Sequence, residues 1–416
     1  MLSFGRLLRA ARGFWKALPL PLWMRKAVGK YSWKTIEQVS FLLSRRSPNW
    51  TEGKLYVAGF FSESHGIAAS AIRCANALEE LGMDVERIDL GPPSAMALLN
   101  KPPAPESLTG TYIIHVNAPE FSFALAKLGL THRSRARVIG YWAWELPKAP
   151  KSWIKRSRLC HEIWVPAQFV ADAMTEASCP VHVVPHPLPA LGGPAAAEAL
   201  ACPIDVPQDA FVALCMFDMR SSLMRKNPLG AIGSFRKAFS GDENAMLIIK
   251  TQHGQQYPES SARLHAAAEG DPRILIVNET WSRSEVDGLI QRCDVFLSLH
   301  RAEGFGLVIA ETMQRGKPVL ATAWSGNLDF MGTDYFGAVP VSMIAVQDQD
   351  RIYEGQEWAE PDLDVAGRKL KQLYDDPDLT RKTGEDGRQR VTSRLSAQAY
   401  RKYVQQRLTP DQPRKV

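Results

Sequence analysis

Two glutamates, Glu303 and Glu311, flank the segment Gly304-Phe305-Gly306 in this chain of 416 residues. The run before them, Val295 to Ser298, reads as a strand, and a helix opens at Leu307. A strand that ends in a glycine turn and restarts as a helix makes an anion site. Glycine lets a ligand approach the backbone, and the first helical amides point outward with partial positive charge. The eight-residue interval places Glu311 about two helical turns beyond the turn, on nearly the same face. One carboxylate can then face each end of a nucleotide diphosphate sugar. Upstream, Arg220 follows the strand Phe211–Met216, and Lys226 stands six residues later, before Asn227-Pro228 begins a helix. Two positioned cations can stabilise a leaving diphosphate and take the place of a metal.

Those residues need a scaffold that brings strand ends together. From residue 54 the chain alternates apolar runs of strand length with amphipathic helical segments, as in a parallel sheet covered on both sides. Expected strands are Leu55–Phe60, Val85–Leu90, Tyr112–Val116, Val138–Tyr141, Glu162–Val165 and Val181–Val184, with a helix over 67–81 closed by Gly82. A stretch rich in Pro, Gly and Ala follows His186-Pro187. Alternation then restarts with strands Phe211–Met216, Ala245–Lys250, Ile274–Val277, Val295–Ser298 and Val319–Ala321, and helices around Pro228–Phe239 and Arg283–Arg292. The helix-forming segment Leu363 to Leu408 ends the pattern. This predicts a basic arm at 1–50, a Rossmann-like acceptor domain at 51–190, a linker at 191–209, a Rossmann-like donor domain at 210–390, and a terminal helix at 391–416 that crosses back to the first domain.

The motif set resembles the GT-B glycosyltransferases, specifically the retaining family-4 group. That group carries a Glu-x7-Glu element, matched by Glu303 and Glu311, and an Arg and a Lys six apart, matched by Arg220 and Lys226. The likeness spans roughly residues 54–400. It implies two α/β domains facing a central cleft and a metal-independent hexosyl transfer. It also implies no cofactor beyond a nucleotide diphosphate sugar, a UDP- or GDP-sugar, as co-substrate. Glu303 would contact the sugar, the backbone at Gly304, Phe305, Gly306 and Leu307 would hold the diphosphate, and Glu311 would hold the ribose. Gly66 matches the glycine turn that borders the phosphate. The family's second histidine after the fourth strand is replaced, since the segment reads His115-Val116-Asn117-Ala118-Pro119. Asn117 can hydrogen-bond a sugar hydroxyl but cannot carry positive charge. A non-catalytic GT-B membrane-bound partner and a sugar-nucleotide epimerase share the same fold and are the alternatives.

Three further features bear on partners. Tyr141-Trp142-Ala143-Trp144-Glu145 offers rings for a sugar face and a carboxylate for an acceptor hydroxyl, or buried core tryptophans. Asp348-Gln349-Asp350 has the form of a metal-binding pair, but no strand precedes it, so no metal is expected. The net charge of +6 is uneven, because residues 1–50 hold ten Lys or Arg against Glu37 alone. Leu7, Leu8, Ala11, Phe14, Trp15 and Leu18 share one helical face, with Arg9, Arg12 and Lys16 opposite. Such a stripe suits an anionic membrane surface or a dock on the protein's own body. Nucleic-acid motifs are missing. The expectation is a cytoplasmic enzyme, peripheral on the inner face of the membrane, acting on a lipid-linked bacterial polysaccharide or lipopolysaccharide precursor. Six scattered cysteines without a CxxC pair fit a reducing compartment.

Overall fold

The computed structural model describes residues 41, 46–47, 49–63, 65–91, 108–130, 134–192, 200–241, 243–347, 353 and 355–408. The arm's apolar stripe and the pair Asp348 and Asp350 lie outside the described residues. The described residues fall into two compact units. The first takes those up to Trp142, with Pro150–Trp164 and Glu176–His182, and the second takes Ala143–Ala149, Val165–Thr175 and those from Val183 on.

The sheet of the first unit runs in the order β2-β1-β3-β4-β5-β6. Its strands are β1 Leu55–Gly59, β2 Val85–Asp89, β3 Thr109–Ile114, β4 Arg135–Tyr141, β5 Glu162–Val165 and β6 Val181–Val183. The pairs β1/β2, β1/β3, β3/β4 and β4/β5 are parallel. Tyr56, Val57 and Ala58 are buried in succession, as are Tyr112, Ile113 and Ile114. Successive side chains point to opposite faces, so unbroken burial means that helices cover both. The helices Gly66–Glu80 and Ala118–Leu128 follow β1 and β3.

The second unit repeats the plan in the order β12-β11-β10-β7-β8-β9. Here β7 is Phe211–Met216, β8 Ala245–Thr251, β9 Ile274–Asn278, β10 Val295–Ser298, β11 Val319–Thr322 and β12 Ala338–Val339. All five neighbouring pairs are parallel. The chain leaves β7 toward β8 and β9, then returns to lay β10 on β7's other side. Loops after β7 and β10 therefore diverge at a switch in strand order, which is where open parallel sheets bind ligands. The pattern expected from the sequence is met, with β7 and β10 at the expected bounds.

Two elements were not expected. An antiparallel hairpin, β13 Val341–Ala345 with β14 Glu357–Pro361, follows β12. The other is the division of the helix-forming stretch Leu363 to Leu408 into three helices, Leu363–Asp375, Pro377–Leu395 and Ala397–Leu408. Asp362 and Asp376 cap the first two through their side chains, and Pro377 in a first turn forces the break. No helix among the described residues is long and apolar enough to cross a membrane.

Candidate functional site

The loop after β7 is shaped by two residues in the left-handed backbone region, Ser222 at φ 67° and Asn227 at φ 51°. Between them lies one short helix, Leu223–Lys226. Ser222 accepts from the Arg225 amide at its start. Asn227 ends it, accepts from the Gly230 amide at 3.1 Å, and donates through Nδ2 to the Leu299 carbonyl at 2.8 Å. That last bond ties the β7 loop to the end of β10. Arg225 adds a second tie, donating to the Ala302 carbonyl at 2.9 Å and the Ser221 carbonyl at 3.1 Å. Non-glycine residues in such backbone cost free energy of order 1 kcal/mol each and persist where the surroundings hold them.

Those ties present Lys226 to the glutamate after β10. The Lys226 ammonium donates to Glu303 Oε2, and Arg225 Nη1 stands 3.7 Å from the same oxygen. The Glu303 backbone is held in turn, its amide donating to Ser325 Oγ at 3.1 Å and its carbonyl accepting from the Gly326 amide at 3.0 Å. Burial works to raise the Glu303 pKa, but Lys226, Arg225 and His300 together hold it down at about 2. The carboxylate is therefore charged throughout the neutral range. His300 is fully buried, bonded to Asn327 Oδ1 at 3.2 Å and Ser298 Oγ at 3.1 Å. Burial lowers its pKa to about 4, so at neutral pH it is an uncharged brace.

The glycine turn has a specific geometry. Gly306 caps the helix Leu307–Gln314 at φ 92°, which a side chain would strain. A Cβ on Gly304 would stand 3.0 Å from the Trp144 carbonyl, and one on Gly326 would collide with the Gly304 carbonyl. Gly306 has no side chain to cap the helix, so the first-turn amides keep their outward positive end. Phe305, between the glycines, is buried against His186 and Phe330 and serves as an anchor. Glu311 is 5% exposed and accepts from Arg283 Nη1 at 2.9 Å.

The other expected residues have surroundings of their own. Arg220 lies in the same loop, but its guanidinium is turned to Asp218, at 2.8 Å. The arginine beside Glu303 is Arg225. Gly66 and Asn117 belong to the first unit, just after the neighbouring strands β1 and β3. Gly66 opens its helix with open space where a Cβ would stand. Asn117 is the N-cap of Ala118–Leu128 without a side-chain cap bond, and Pro119 occupies that first turn. His115 is fully buried, 2.6 Å from Ser70 Oγ and stacked on Tyr141, and burial drives its pKa down to about 3. It is a neutral core histidine. Trp142 is also core, packed edge-on against Phe121 and Trp153. No group of three or more metal-ligating side chains occurs among the described residues.

Arg225 went unnoticed in the sequence. Its only signal is adjacency to Lys226 before Asn-Pro, and its burial follows from the Ser222 turn.

Comparison with known proteins follows the same lines. Residues 226–401 match the family described as "Family 4 Glycosyltransferase in conflict systems". No curated protein matches the sequence. Among solved structures, a glycosyltransferase from Rickettsia africae ESF-5 is similar with TM-score 0.61 and 17% identity, over 88% of this chain and 100% of that one. Anabaena HepE in complex with UDP and glucose is similar with TM-score 0.58 and 13% identity, over 86% and 99%. A mutant of S. aureus TarM in complex with UDP gives TM-score 0.55 and 12% identity over 74% of this chain, which spans 57% of TarM. The chain has the GT-B fold, and the part of it from Lys226 to Arg401, which holds Glu303 and Glu311, is similar to the family-4 glycosyltransferases.

Proposed function

We propose that the protein is a retaining, metal-independent glycosyltransferase that moves a hexosyl group from a UDP- or GDP-sugar to a glycan acceptor. The observation that carries this reading is the convergence of Lys226 and Arg225 on Glu303 beside an uncapped helix N-terminus. An ionised carboxylate held in place can accept hydrogen bonds from sugar hydroxyls. The helix amides and Lys226 can receive the diphosphate, whose charge grows as the bond from the anomeric carbon to the phosphate oxygen breaks. The acceptor oxygen bonds to that carbon on the same face, its proton passes to solvent or to the departing phosphate, and the nucleoside diphosphate leaves. Arg220 lies in the same loop as Lys226 with its guanidinium on Asp218, and release from that carboxylate would free it for the same anion. HepE, solved with UDP and glucose, has a similar fold, which supports a nucleotide-sugar donor.

The acceptor in this reading is a lipid-linked bacterial polysaccharide or lipopolysaccharide precursor, met at the inner face of the membrane. The apolar stripe at Leu7–Leu18 and the excess of cations in residues 1–50 support it. The deciding experiment is a screen of nucleotide sugars for release of free nucleoside diphosphate, with and without bacterial membrane extract. Release that depends on the extract is expected. Release of nucleotide without any glycan product, or none from any donor, would overturn the reading.

A further inference from the structure

The second unit also holds a cavity of about 350 Å³ beside the donor cluster, at the small end of the range for ligand pockets. Its wall includes Glu145, Arg225, Ser222, Tyr257 and Tyr353. Glu145 keeps a quarter of its side chain exposed, and its Oε1 lies 3.9 Å from Arg225 Nη2. The same guanidinium is 3.7 Å from Glu303 through Nη1. One arginine thus joins the cavity wall to the carboxylate assigned to the donor sugar. Across the wall, the Tyr353 hydroxyl donates to Glu145 Oε2 at 3.4 Å, and its ring leans on Trp144 at 5.6 Å between centroids. Tyr353 is carried between β13 and β14, where Gln356 accepts from the Lys148 amide at 3.2 Å.

Those groups favour an uncharged, hydroxyl-bearing ring. Arg225 faces Glu145 and Glu303, Arg220 is held on Asp218, and Glu259 shares the wall with Arg263, so acids offset the cations around the cavity. A free anion therefore gains little there. A pyranose offers a C–H face to an aromatic ring and a rim of hydroxyls that can donate to a carboxylate and accept from a guanidinium. Burial and Glu303 push the Glu145 pKa up while Arg225 and Lys226 pull against them, so this carboxyl is tuned by the donor cluster beside it.

We propose that this cavity is the acceptor subsite for a neutral hexopyranose, with Glu145 reading its hydroxyls and Tyr353 its face. The assignment rests on the transferase reading above, and the test separates the two. Full-length protein is titrated with UDP and GDP by calorimetry, then examined with saturating nucleotide for saturation transfer to methyl α-D-glucopyranoside, methyl α-D-mannopyranoside and methyl β-D-galactopyranoside. At least one hexoside should show ring-proton saturation. Tyr353→Ala and Glu145→Gln should lower it ten-fold or more without changing nucleotide affinity, and Tyr353→Phe should retain it. Nucleotide binding with no hexoside signal, or signal unchanged in Tyr353→Ala, overturns the subsite alone. A chain that binds neither nucleotide overturns the acceptor role together with the reading beneath it.

Discussion

Lys226 donates a hydrogen bond to Glu303 across 77 residues of sequence. The contact exists because β7 and β10 are neighbours and Asn227 ties one loop to the end of the other. It couples the cation assigned to the leaving group with the carboxylate assigned to the sugar. Binding of a diphosphate must therefore share Lys226 between two anions.

The first prediction follows from that sharing. Lys226→Ala should lower turnover by about 10²-fold or more, the usual loss for one preorganised stabiliser of developing charge. Arg220→Ala should act similarly if its guanidinium leaves Asp218 when donor binds. Turnover near wild type in both variants, measured at saturating donor, would remove these cations from the mechanism.

A second prediction concerns acid. The folded pKa of Glu303, about 2, is below its ordinary value of 4.5. Its stabilising contribution is thus complete above pH 4.5 and is lost as pH falls through about 2. That shift corresponds to about 3 kcal/mol. Glu303→Gln should therefore be less stable than wild type at pH 7, and the gap in urea midpoint should narrow from pH 5 to pH 3. A gap that stays constant over that range would show that the carboxylate is not held by Lys226 and Arg225.

Much of this arrangement was legible beforehand because the central strands of a doubly covered parallel sheet are continuous apolar runs. Phe211–Met216 and Val295–Ser298 needed no tertiary knowledge. The hairpin β13/β14 escaped because the segment joining its strands, 346–356, is too long to leave a tight-turn signature. Arg225 escaped for a different reason. Nothing local distinguishes it from a solvent-facing arginine, and only the backbone at Ser222 turns it inward. Glu145 was visible as a candidate, but its link to Glu303 runs through Arg225 and needed coordinates.

Metal dependence provides a third prediction. With the diphosphate charge assigned to Lys226, Arg220 and the helix opening at Leu307, excess EDTA should leave the initial rate nearly unchanged. A rate abolished by the chelator and restored by Mn²⁺ would revive Asp348 and Asp350 as ligands.

The last prediction concerns residues 1–30. Leu7, Leu8, Phe14, Trp15 and Leu18 share a helical face in a segment where Lys and Arg far outnumber acids. Each cation near an anionic surface contributes about 1 kcal/mol and is screened by salt. Co-sedimentation with liposomes containing phosphatidylglycerol should therefore weaken steeply from low to high salt. Phe14→Glu with Trp15→Glu should abolish it, since two charges then enter the face meant for acyl chains. Both α/β units should melt as in wild type. Binding that ignores lipid charge and the double substitution would refute attachment. A large fall in melting temperature would show instead that the stripe docks on the protein's own core, and the arm would then be structural.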